Sequence, residues 1–150
     1  PNHFHFVIKI RSDQEILSIS KRDQNLRKTD NTVSVIVSRQ FSHFFNSYAQ
    51  AFNKQNNRKG SLFANRFKRK QIDNEKYLIR SILYVHLNPV LASFCSDISN
   101  WQYSSFNEIL KDDMTFVERN KVLELFDAKQ NFIFCHKSEL KEPCEGSKPL

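Results

Sequence analysis

Near the start of the chain, Phe4-His5-Phe6-Val7-Ile8-Lys9-Ile10 repeats with period two. Phe4, Phe6, Ile8 and Ile10 fall on one side, and His3, His5, Val7, Lys9 and Arg11 on the other. Period two is the spacing of a β-strand. A strand needs hydrogen-bonded neighbours, so this run constrains the fold more than any other feature and asks for a sheet. From Thr32 the spacing changes. Val33, Ile36, Val37, Phe41, Phe44, Phe45, Tyr48 and Phe52 follow the i, i+3, i+4 rule, which predicts a long amphipathic helix with Thr32 as its N-cap. The turn residues Asn56 to Gly60 end it.

A second helix is expected from about Asn74 to Leu87, with Asp73 as N-cap, Glu75 in its first turn and Pro89 closing it. Residues 90–106 read as irregular. A helix from about Thr115 to Phe126 and a short apolar run, Phe132 to Cys135, follow. Residues 21–31 read as a polar linker. The tail 137–150, with Pro143, Gly146 and Pro149, reads as disordered.

With 150 residues, 39% of them hydrophobic, the chain suits one domain with one core. No apolar run approaches the ~18 residues of a membrane span, and nothing resembles a signal peptide. Cys95, Cys135 and Cys144 are odd in number and lack CxxC spacing, so they read as reduced thiols of an intracellular protein. Two glycines are too few for a dinucleotide fingerprint or a P-loop.

The net charge of +7 is unevenly placed. No acid occurs between Asn31 and Ile72, while Arg39, Lys54, Arg58, Lys59, Arg66, Lys68, Arg69 and Lys70 all fall inside. A field of one sign at that density points to a polyanion. A solvated basic face is the plainer reading, but no interleaved acids relieve its repulsion. Phe63 and Phe67 lie among these cations. Cations hold phosphates and aromatic faces stack on unpaired bases, although burial of both rings, with the cations solvated around them, is the simpler reading.

Two constellations could carry chemistry. His3 and His5, at i and i+2 of the expected strand, face the same way with Phe4 anchored on the other side, and could share a metal ion. As a bare pattern HxH is weak, and two half-exposed histidines are an equally ordinary outcome. Arg80, Tyr84 and Asn88 form a polar line at i, i+4 and i+8 on an otherwise apolar helix. A guanidinium, a phenol and an amide in line could serve as phosphate clamp, nucleophile and metal ligand, or Tyr84 could be a core residue satisfied by Asn88. Tyr48 competes as a nucleophile but lies on the apolar stripe. His43, His86 and His136 have no partner at ligand spacing.

With these residues in view, the sequence resembles the single-tyrosine HUH transposases, in particular the IS200-like and REP-associated branch. Pro1-Asn2-His3-Phe4-His5-Phe6 looks like the family's PNHxH strand. Phe52-Asn53, Gly60-Ser61-Leu62-Phe63 and Arg66-Phe67 look like its middle segment. Tyr84 to Pro89 is similar to its YxxxNP helix, and Trp101 to Ser105 to its WxxSS closing motif. The ordered set covers residues 1–106. Residues 107–136 would be a helical extension.

The resemblance implies an α+β fold, a ferredoxin-like antiparallel sheet with packed helices. It implies Mg²⁺ or Mn²⁺ held by His3, His5 and Asn88, with Tyr84 as nucleophile. The substrate it implies is single-stranded DNA with a foldback hairpin, cut and rejoined through a 5′-phosphotyrosine link. Arg58, Lys59, Arg66, Lys68, Arg69, Lys70 and Arg80 would contact the DNA. A phenol ionises only near ~10, so a cation such as the metal or Arg80 must assist. It also implies a bacterial cytoplasmic protein with no membrane partner, as monomer or homodimer. The family pattern carries a strand and a helix ahead of the HxH strand, so a domain incomplete at its N-terminal side is expected. The alternative from another class is a remnant that binds DNA hairpins without cutting them. A histidine-triad phosphohydrolase would need histidine at position 7, where Val7 stands.

Overall fold

The structure, a computed structural model, describes residues 3–20, 32–64 and 67–140. Among the described residues six α-helices follow in chain order: α1 (Asp13–Ser20), α2 (Val33–Gln55), α3 (Glu75–Leu91), α4 (Ser105–Leu110), α5 (Arg119–Leu125) and α6 (Lys129–Glu139). A short 3-10 turn at Ile98–Asn100 precedes α4. The chain divides into two compact units. One comprises Ile8–Arg69, the other Pro1–Val7 with Lys70–Leu150. The expected linker 21–31, Arg66 and most of the expected tail lie outside the described residues.

The expected ferredoxin-like antiparallel sheet is overturned: among the described residues there is no strand at all. Residues 3–10 carry the alternation of a strand but have no regular structure, and Phe4, Phe6, Ile8 and Ile10 are each about half exposed. Period two records which side chains alternate. It supplies no neighbour, and without hydrogen bonds to one an extended segment is not a strand. The fold of the described residues is helical, not α+β.

In the unit Ile8–Arg69, α1 packs on α2. α1 begins with a capping box. Ser12 Oγ accepts from the Glu15 N–H at 3.4 Å, and Glu15 Oε2 accepts from the Ser12 N–H at 3.0 Å. The S-x-x-E pattern was legible in the sequence, yet the helix lay outside the expectations. α2 follows the expected stripe, with Ile36 buried. Thr32 is its N-cap by backbone but makes no capping hydrogen bond.

The second unit holds the larger core. Ile82, Leu83 and Leu87 of α3 are buried together with Ile98, Phe106, Ile109, Phe126 and Phe132. The segment expected as a C-terminal extension thus covers the inner face of the tyrosine-bearing helix, with α6 packed directly on α3. α3 is capped one residue later than expected: Asn74 Oδ1 accepts from the Tyr77 N–H at 2.8 Å.

Pro89 does not close α3. It sits in the last turn, where its missing N–H removes a single intrahelical bond. The helix stops two residues later in a Schellman turn. Phe94 N–H donates to Pro89 O at 2.8 Å, and Ser93 N–H to Val90 O at 2.9 Å. Ser93 occupies the left-handed position at φ 60°.

Candidate active site

Because Pro89 stays helical, Asn88 stays helical too, one turn beyond Tyr84. Asn88 Nδ2 donates to the Tyr84 hydroxyl at 3.0 Å, leaving the amide oxygen for another partner. The His5 ring lies edge-on against Tyr84 with centroids 5.6 Å apart, and His3 lies edge-on to His5 at 5.1 Å. All four residues belong to one unit. Arg80 is exposed one turn before Tyr84 on the same helix.

His5 Nε2 is buried and has no hydrogen-bond partner. A buried ring nitrogen left unpaired is unfavourable and points to an absent partner. Burial, reinforced by the neighbouring His3, holds the His5 imidazole below its ordinary value, so the ring is neutral with a lone pair to offer. Among the described residues no three His, Cys, Asp or Glu side chains come together. A cation here would therefore rely on an amide or phenol oxygen beside two imidazoles. Oxygen and imidazole together suit Mn²⁺ better than Mg²⁺, which favours oxygen alone.

Behind Tyr84, on the core side of α3, lies a cluster the sequence reading left unassigned. The Phe132 carbonyl can only accept, so His136 Nδ1 carries the hydrogen and donates to it at 2.7 Å. His136 Nε2 then accepts from His86 Nδ1 at 3.0 Å, and His86 Nε2 accepts from the Ser105 hydroxyl at 2.7 Å. Both rings are buried. Burial pushes His86 down to about 3 and His136 down to about 4, which keeps both neutral as this chain of donors requires. The cluster ties α3 to α4 and α6 and so fixes the rotation of the helix that presents Tyr84 and Asn88.

The basic candidates divide by their contacts. Arg58 donates to Asn53 Oδ1 and to the Ser61 carbonyl, both at 3.2 Å, and so stabilises the turn after α2. Arg69 donates to Ser38 Oγ at 2.7 Å. Lys70 Nζ lies 4.8 Å above the Tyr77 ring. Lys59 and Lys68 are exposed, and Arg66 lies outside the described residues. Tyr48 is exposed beside Phe52 and Phe63 in the unit Ile8–Arg69. Among the described residues no helix is long and apolar enough to cross a membrane. No family model, curated protein or solved structure matches the chain.

Proposed function

We propose that the chain is a metal-dependent DNA strand transferase of the transposase type, with Tyr84 as nucleophile and single-stranded hairpin DNA as substrate. One observation carries the reading: Tyr84, Asn88 and His5 meet in one place, with a buried imidazole nitrogen that lacks a partner. The proposal rests on this grouping of side chains and needs no sheet.

His3, His5 and the Asn88 amide oxygen would hold Mg²⁺ or Mn²⁺. Such a cation supplies Lewis-acid polarisation of a phosphate oxygen. The Tyr84 oxygen attacks phosphorus, forming the phosphotyrosine bond as the bond to the 3′-oxygen breaks, and the proton given up by the phenol is balanced by the one the departing oxygen takes up to leave as a 3′-OH. Asn88 orients the phenol by donating to its oxygen. Arg80, a turn away, offers a guanidinium to a phosphate. The freed 3′-OH can attack the phosphotyrosine and restore the strand.

The reading is tested with single-stranded hairpin oligonucleotides and Mn²⁺. A covalent protein–DNA adduct on a denaturing gel, lost in Tyr84→Phe and retained in Tyr48→Phe, supports it. The reverse pattern would reassign the nucleophile. One observation favours the non-catalytic alternative: His3 and His5 sit on an irregular segment rather than a rigid element, which loosens a site. Hairpin binding with no adduct would select that alternative.

A further inference from the structure

The unit Ile8–Arg69 carries a cluster that the transfer chemistry does not use. Seven rings, Phe41, Phe44, Phe45, Tyr48, Phe52, Phe63 and Phe67, form a continuous network with neighbouring centroids between 5.2 and 6.5 Å apart. The segment after the Gly60 turn folds back so that Phe63 and Phe67 cover Phe41 and Phe45. Three rings stay open: Phe44 is 55% exposed, Tyr48 51% and Phe67 39%.

Phe44 and Tyr48 are one turn apart on α2, a rise of about 6 Å along the helix. Lys68 follows Phe67 directly, and Arg69 keeps further guanidinium donors beyond the one it gives Ser38. No acid occurs on α2 or from there to Arg69.

We infer that the exposed rings of this network, Phe44, Tyr48 and Phe67, are stacking positions for unpaired bases of a single-stranded polynucleotide, whose phosphates Lys68 and Arg69 hold. Charge complementarity selects this occupant. A second copy of the chain seated on the same face would set cations against cations with no acid to answer them. A bare polyanion would leave the rings unused. Unpaired bases and their phosphates use both. The inference rests on the nucleic-acid reading above but not on Tyr84 chemistry, and it gives the substrate a second point of attachment.

The test is fluorescence anisotropy with labelled oligothymidylate and oligouridylate, with inorganic polyphosphate as a base-free competitor. The double variant Phe44→Ala/Tyr48→Ala should weaken both oligonucleotides about tenfold for each ring removed. Polyphosphate binding and the salt slope should not change, because no charge is lost. Lys68→Gln/Arg69→Gln should instead flatten the log–log salt slope by about 0.7 per cation. Phe44→Leu/Tyr48→Leu keeps the apolar surface without the ring faces and should behave like the alanine pair.

Unchanged oligonucleotide affinity in both double variants overturns the inference. So does an equal loss of polyphosphate binding, and so does a wild-type dimer that the leucine pair dissociates in sedimentation. An adduct at Tyr84 with stacking unaffected removes the stacking positions and leaves the transferase. Ring-dependent binding without an adduct does the reverse.

Discussion

His86 and His136, fifty residues apart in sequence, share a 3.0 Å hydrogen bond in the interior of the unit that carries Tyr84. The bond requires a neutral ring at its acceptor, His136. Both histidines titrate well below the ordinary 6.5, at about 3 and about 4, so the unfolded chain binds more protons over the interval between. Their stabilisation is complete above about pH 6.5 and is lost as pH falls toward those values. We expect a drop on the order of 2–4 kcal/mol between pH 7 and pH 5. Urea unfolding across that range checks it. In His136→Phe the protein should be less stable at pH 7 and its pH dependence shallower. A stability that rises on acidification would contradict this account.

Phe132 is fully buried and touches Phe106, Phe126 and both histidines. Phe132→Ala should destabilise by about 3–5 kcal/mol through lost burial and a residual cavity. The substitution also leaves the backbone carbonyl that orders the histidines in place. Loss of near-ultraviolet circular dichroism and a lower urea midpoint are the expected signs.

Ser93 holds the left-handed position after α3, where a side chain is strained. Ser93→Gly should stabilise by roughly 0.5–1 kcal/mol after allowing for the freer unfolded chain, raising Tm by a few degrees. Thermal unfolding measures it directly.

Asn88 has two tasks in the proposed chemistry, one for each end of its amide. Asn88→Ala should lower the adduct rate about a hundredfold. Asn88→Asp removes the donor to Tyr84 but adds a harder oxygen ligand. It should therefore bind Mn²⁺ more tightly than the parent while reacting more slowly. Manganese paramagnetic resonance and single-turnover adduct formation separate the two effects.

Much of the candidate site was legible in the sequence, for a geometric reason. Tyr84 and Asn88 are i and i+4 on a helix whose apolar spacing is plain, so their contact follows from local geometry. His5 against Tyr84 was expected only from the resemblance, since no local rule joins residues 79 positions apart. The sheet failed because alternation names faces and not partners. α6 reads in the sequence only as a short apolar run, Phe132 to Cys135, because the residues of the helix on either side of it are mostly polar; His136 lies one turn after Phe132. It is a core residue, with its polarity satisfied by His86 and a carbonyl. The Ser105 contact rests on the same long-range pairing, which spacing cannot reveal.

The irregular segment from Phe4 to Ile10 carries a further consequence. Five of its seven residues are strong β-formers, Lys9 is the only full charge, and proline and glycine are absent, which is the composition of a steric zipper. Their half-exposed aromatic and branched side chains are available to the same segment of another molecule. Concentrated solutions should therefore assemble slowly into cross-β fibrils, and a single lysine at Ile8 should act as a gatekeeper that delays them.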